Sequence, residues 1–242
     1  MSVESRQPPR TRAGRTTAGR RRLRHALTVA AIDLFLAQGY DATTVDEIAA
    51  AAGVGRRTFF RYFRSKEDAI FPDHEEVLRD IERSLATALP TQDPVAVACT
   101  AVGLVLEHYL ADPDVSLKRF ALTRSVPSLR DREVATVDRY QRVFARYLRE
   151  RFQSAGDPAA DLRASVAAAA VAAANNHVLR RWLRSGGKDD VHAAAKEAFQ
   201  LVVDAFSPPV KPGGQTVVAV LEASAPVSEV VRQISAALRP AE

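Results

Sequence analysis

The stretch TVDEIAAAAGVGRRTFFRYFRSKEDAI, residues 44–70, decides the fold. Thr44 followed three positions later by Glu47 is a capping box, and it starts a helix that Gly53 stops after about two turns. Gly53-Val54-Gly55 is too short for anything but a tight turn, so residues 56–63 read as a second short helix crossing the first steeply. Ala49, Gly53 and Phe59 then stand at relative positions five, nine and fifteen. Two helices joined by a tight turn need a small residue, a residue free to take positive φ and a core plug at those places. The pattern is a helix-turn-helix. Ser65 reads as the cap of a further helix, with Asp68 in the reciprocal position, running through Val77, Ile81 and Leu85 to about Leu89.

The same stretch interleaves rings with cations. Phe59 and Phe63 are four apart and share a helix face with Val54 beneath, which suits them to a core. Arg56, Arg57, Phe60 and Arg61 take the opposite, cationic face. An exposed helix with arginines at its N-terminal end fits the major groove of DNA, where a guanidinium bridges two acceptors on guanine. Arg56, Arg57 and Thr58 are the candidates to read base edges. Tyr62 and Lys66 lie where such a helix leaves the groove, and their phenol and ammonium suit phosphates. Thr44 offers its hydroxyl and the free amides of a first turn to another phosphate.

Working outward, residues 21–38 carry Leu23, Leu27, Ala30, Ala31, Leu34 and Phe35 on one stripe, and Gly39 stops that helix. Residues 1–20 hold Arg6, Arg10, Arg12, Arg15 and Arg20 against Glu4 and read as a flexible basic arm. The net charge of +5 is unevenly placed: residues 1–72 carry 13 Lys and Arg against 7 Asp and Glu, and the other 170 carry 21 against 22. A polyanionic partner for the first third follows, with a near-neutral task for the rest.

That remainder shows helical spacing over 94–110, 114–126, 128–153, 158–184 and 190–206, bounded mostly by Pro, Gly or Asp, with no strand pattern. The expected class is all-α: a three-helix DNA-binding domain at 21–66 and a larger helical ligand-binding and dimerisation domain at 67–206. An extension at 207–242 has no assigned role, although 216–223 has strand or helix character and 227–238 reads as a small amphipathic helix. The Ala-rich faces of 158–184 and 190–206 suit a four-helix contact with a second copy. His108, Tyr109, Phe120, Thr123, Arg124, Tyr140, Phe144, Asn175, Asn176 and His177 mix rings with polar groups and are the candidates to line a cavity for a mostly apolar small molecule. A network at the dimer interface is the rival reading for Asn175, Asn176 and His177.

Enzyme classes find no support. G-x-S-x-G, G-x-x-x-x-G-K and H-E-x-x-H are absent, and the five histidines are scattered. Asp73-His74-Glu75-Glu76 reads as a solvated charged run and not a metal site, so no metal or cofactor is expected. One cysteine, Cys99, excludes an internal disulfide. With no leader-like start and no spanning segment, the expectation is a cytoplasmic protein with no membrane partner.

The stretch from Thr43 to Ile70, with the helix before it from about Leu23, resembles the DNA-binding region of the TetR family of transcriptional regulators. The likeness covers roughly a fifth of the chain. It implies a homodimer whose subunits each carry a three-helix DNA-binding domain and a larger helical domain that binds a small-molecule effector and dimerises. Carried over, the DNA contacts fall on Thr44, Arg56, Arg57, Thr58, Phe60, Tyr62 and Lys66. Phe60 stands where the family usually has tyrosine, which removes a hydroxyl for phosphate, and Arg57 replaces a small residue, which alters base preference. The function expected is a ligand-responsive repressor on a near-palindromic double-stranded operator, with effector binding transmitted through the helix expected to start at Ser65. The alternative is a sequence-tolerant architectural protein.

Overall fold

The computed structural model describes residues 16–71 and 74–206, and among these it consists of helices joined by short turns, with no strand. Helix α1 spans Thr17–Gln38, capped by Thr16, whose side chain accepts from the Gly19 amide at 3.0 Å. That cap opens the helix earlier than expected and takes residues 17–20 out of the arm. The rest of the arm, residues 1–15, and the expected elements at 216–223 and 227–238 lie outside the described residues.

Helix α2, Val45–Ala51, opens with the capping box read from the sequence: the Thr44 hydroxyl oxygen accepts from the Glu47 amide at 3.3 Å, and Glu47 Oε2 accepts from the Thr44 amide at 2.7 Å. It ends where Gly53 takes φ 68°, with Val54 N–H on the Ala49 carbonyl at 2.9 Å and Gly53 N–H on that of Ala50 at 3.0 Å. This paired closure needs a left-handed residue at Gly53. Helix α3 then covers only Arg56–Phe60, although the Phe63 amide still reaches the Phe59 carbonyl at 3.0 Å.

The next helix departs from expectation. Asp68 Oδ2 accepts from the Arg64 amide at 3.1 Å and Asp68 pairs with Arg132, so Ser65 opens no α-helix. A single 3-10 turn, Asp68–Ile70, follows instead, and α4 spans His74–Ala86. The remaining helices match the expected spacing closely: α5 Pro94–Leu110, α6 Pro113–Ser125, α7 Pro127–Ser154, α8 Ala160–Arg184 and α9 Val191–Phe206. Asp93 and Asp112 cap α5 and α6, and each is followed by a proline at the first helical position, where its missing N–H costs nothing.

Two cores hold these helices. Leu27, Ile32, Phe35, Ile48, Phe59 and Ile70 fill one, with Phe59 fully buried between α1, α2 and α3. Deleting such a buried ring costs about 3–5 kcal/mol. The second core joins α4, α5, α7, α8 and α9. There Ala164, Ala167 and Ala168 are fully buried and let α8 lie close to its neighbours, while Phe144 and Leu148 plug the centre. The boundary expected at residue 66 is no break. Ala69, Ile70 and Phe71 belong to the first core, as do Val115 and Leu122 from α6 and Leu129 from α7. The described residues accordingly fall within one compact unit.

Candidate functional site: a nucleic-acid interface and an effector cavity

Because Phe59 and Phe63 point inward, at 0% and 3% exposure, the opposite side of α3 presents Arg56, Arg57, Phe60 and Arg61 to solvent. Arg56 Nη1 pairs with Asp46 Oδ2 at 2.7 Å, and its guanidinium lies 5.1 Å from the centre of the Phe60 ring. Both partners are more than half exposed, so the pair orients the guanidinium and adds little stability. Arg57 has no partner among the described residues. Thr58 is half-buried beside it.

Of the other expected phosphate ligands, Lys66 is engaged inside the molecule. Lys66 Nζ donates to the carbonyls of Tyr40 at 2.7 Å and Thr43 at 3.0 Å and lies 4.3 Å from the centre of the Tyr40 ring. The Tyr40 hydroxyl in turn donates to Glu67. Burial, then this bond to a carboxylate, pushes the Tyr40 phenol up to about 12. Burial alone would raise the Glu67 carboxyl, but hydrogen bonds from Ser65 and Tyr40 outweigh it and hold it below its ordinary value. Together these side chains latch the loop before α2 to the turn after α3. The Tyr62 hydroxyl is enclosed and without a hydrogen-bond partner, so in this conformation it does not face a phosphate. Thr44 is exposed at the head of α2, where its amide and hydroxyl both donate to Glu47. The Thr44 amide, then its hydroxyl, keep the Glu47 carboxyl below its usual value.

In the larger part of the molecule, Tyr140, Asn175 and Asn176 line an interior cavity of about 30 Å³, together with Val102, Val105, Tyr109, Val137 and Leu179. The Tyr140 hydroxyl lies 2.8 Å from His74 Nδ1. Asn175 is 3% exposed, and its Oδ1 has no hydrogen-bond partner. Phe120 and Thr123 line a neighbouring void of about 10 Å³ with Arg119 and Glu133. His108 faces an outer cleft of about 680 Å³ between α1 and the helices α4, α5 and α6. Three expected ligand residues line none of these spaces. Phe144 is a fully buried core plug, His177 is exposed on the outer side of α8, and Arg124 is exposed with its guanidinium 5.6 Å from the Phe120 ring centre.

Sequence reasoning missed Arg119, His74 and Glu133. Arg119 was findable: Val115, Arg119 and Leu122 follow the i, i+4, i+7 spacing of the buried stripe of α6, so the arginine occupies a core position. It is 7% exposed, its Nε donates to the Ile70 carbonyl, and burial lowers its pKa.

Known proteins share this arrangement. The family model described as bacterial regulatory proteins, tetR family, matches residues 27–70, and the MftR C-terminal domain model matches residues 92–207. MftR of Mycobacterium tuberculosis, named for regulating mycofactocin biosynthesis, is 30% identical over 139 residues, which span 55% of this chain and 68% of that protein. The chain belongs to the TetR family of transcriptional regulators. Another relative, the HTH-type transcriptional regulator TcmR of Streptomyces glaucescens, is 58% identical over 48 residues. That match spans 20% of this chain and only 21% of the relative. Among solved structures, FadR of Bacillus subtilis in complex with stearoyl-CoA superposes with a TM-score of 0.54 at 21% identity, covering 74% of this chain and 97% of that one. The SmeT–triclosan complex gives 0.54 at 19% identity, covering 83% and 99%. At these identities the structural matches establish the fold: a TetR-type helix-turn-helix followed by a larger helical domain.

Proposed function

We propose that this chain is a ligand-responsive repressor that binds a near-palindromic operator as a homodimer. The observation that carries the reading is the two-sidedness of α3 and the turn after it: Phe59 and Phe63 are buried while Arg56, Arg57, Phe60 and Arg61 face outward, exposed among the described residues. Arg56, Arg57 and Thr58 would meet base edges in the major groove, with Arg61 and the head of α2 at Thr44 against the backbone. Lys66 we assign to holding the α2 loop in place, and Tyr62 to the junction behind α3.

The homodimer has support in an apolar face left exposed among the described residues. Leu162 and Val166 on α8 are 69% and 47% exposed, Leu201 on α9 is 72% exposed, and Ala173 and Ala205 are exposed on the same two helices. Two such helix pairs would close a four-helix contact around a two-fold axis and set two copies of α3 about 34 Å apart along DNA. His177 lies on the outer side of α8 and falls to this contact.

The effector reading rests on the interior cavity, apolar except at a few points. Its volume of about 30 Å³ holds roughly one water, far less than the few hundred Å³ a drug-sized ligand fills. A ligand such as the acyl-CoA or triclosan held by the solved neighbours would have to part the helices around it. Since α6 supplies Val115 and Leu122 to the core that Phe59 of α3 also fills, a shift of α6 disturbs the packing that holds α3. A coupling of about 1–3 kcal/mol is enough to change operator occupancy. A cytoplasmic setting goes with this role.

Selection of duplexes from a random pool by the full chain tests the reading. Enrichment of one two-fold-related site with half-sites about one helical turn apart is expected, and enrichment of no sequence favours the architectural alternative.

A further inference from the structure

We propose that Arg119 anchors the anionic head of an amphipathic effector whose apolar chain runs inward to Asn175. The proposal rests on the effector reading above and goes further by naming the ligand chemistry.

Arg119 is buried, yet no carboxylate among the described residues lies within ion-pair distance of it. Its partners are the Ile70 carbonyl, which accepts from Nε, and the Tyr109 ring, 5.4 Å from the guanidinium carbon. Its nearest counter-charges, Asp112 and Glu133, act on it only from beyond ion-pair distance. A buried guanidinium so incompletely balanced is costly, and such costs persist where an incoming anion relieves them. Of the acids that share its outer cleft, Glu76 pairs with Arg21 and Asp80 with Arg83, while Asp112 lies 3.5 Å from His25 and caps α6.

Its position supplies the geometry. Phe71, Ser116 and Arg119 form walls of both the outer cleft of about 680 Å³ and the void of about 10 Å³. Tyr109 and Glu133 form walls of both that void and the interior cavity of about 30 Å³. The three spaces therefore share walls in succession, with Arg119 common to the open cleft and the void. Beyond it Val102, Val105 and Leu179 supply apolar wall in a cavity that also holds Thr136, Tyr140 and the unpartnered Asn175 Oδ1. Glu133, inward of Arg119, repels an anionic head and keeps it on the cleft side, so only the uncharged chain passes. A head held at Arg119 acts on the residue that grips Ile70, and Ile70 lies in the same core as Phe59.

The test uses the full chain and its single tryptophan, Trp182, which is 4% exposed and adjoins Leu183 in the wall of the void. Its fluorescence is followed during titration with dodecanoate, dodecyl phosphate and dodecanol, each below its micelle-forming concentration. At least one anion is expected to bind about tenfold more tightly than dodecanol, the worth of one charge-assisted hydrogen bond, and the tighter anion identifies the head. Arg119→Met should bring the anions down to the level of dodecanol. Arg119→Lys, which keeps the charge and guards against misfolding of the first variant, should retain a severalfold preference. The proposal is overturned if no probe binds, if dodecanol matches both anions, or if Arg119→Met keeps the preference. Tight dodecanol binding with no anion preference removes the anchor but leaves the apolar effector reading standing.

Discussion

Lys66 Nζ lies 2.7 Å from the carbonyl oxygen of Tyr40, so a cation just past α3 closes a loop of its own molecule. A phosphate contact and a loop clasp make different predictions. A clasp lost in Lys66→Met leaves the Tyr40 and Thr43 carbonyls without their donor and should lower unfolding stability by about 1–2 kcal/mol. Operator affinity should fall with it, while the slope of log affinity against log salt stays unchanged. Loss of a direct phosphate contact would instead reduce that slope by about one. Urea unfolding and binding at several salt concentrations separate the two.

The partner of that clasp gives a pH dependence. The Tyr40 phenol titrates at about 12 in the folded chain against 10.0 for an unperturbed tyrosine. With the folded value raised, the unfolded chain releases its proton first. The stabilisation is therefore complete below pH 10 and is lost as pH rises through 12. Stability of the wild type minus that of Tyr40→Phe, measured by denaturant unfolding from pH 8 to 12, should decline across this window. A flat difference would remove Tyr40 from the latch.

Cys99 offers a check on the second core. It is 3% exposed, and burial, with a smaller push from Asp93, raises its thiol to about 12. Thiolate is the reactive form. A disulfide-exchange reagent at pH 8 should leave the native chain unlabelled and modify it at the rate of unfolding in urea. Fast labelling without denaturant would mean that α5 and α9 do not pack as described.

The apolar face on α8 and α9 predicts self-association. Replacing Leu162 and Leu201 together by Asp puts charges on a surface that in the proposed dimer is dry, and should convert the dimer to monomer at micromolar concentration in sedimentation. Because both side chains are exposed in the single chain, the melting temperature of the monomer should stay within a few degrees of that of the surface-neutral Ser pair.

What could be read in advance follows the range of the interactions involved. Thr44 with Glu47, and Ala49 with Gly53, sit within one or two turns of each other, so the capping box and the tight turn are written locally and both formed. Phe59 was legible because its spacing from Phe63 sorts a helix face. Ser65 misled because Asp68 turns to the Arg64 amide and to Arg132 on a helix far along the chain, a partner that no local pattern reveals. Lys66 and Tyr62 were read as surface groups since nothing nearby in sequence shows the Tyr40 carbonyl or the enclosure of a phenol. Arg119 lay hidden for the opposite reason: its stripe was visible, but an arginine in a buried stripe is easily taken for solvent-facing. Phe144 was placed in a cavity by residue type alone and lies in the core, while His177, read as either a cavity or a dimer-network residue, stands exposed on α8.

The central claim is that the outward face of α3 reads DNA, and it is tested most directly by comparing the full chain with the Arg56→Ala/Arg57→Ala double variant on a selected duplex and on a scrambled one of the same length, by fluorescence anisotropy at fixed salt. The selected duplex should lose at least about tenfold in affinity, at roughly 1–3 kcal/mol for each base-reading arginine, and the scrambled one far less. Equal affinities of the two proteins for the selected duplex would contradict the account.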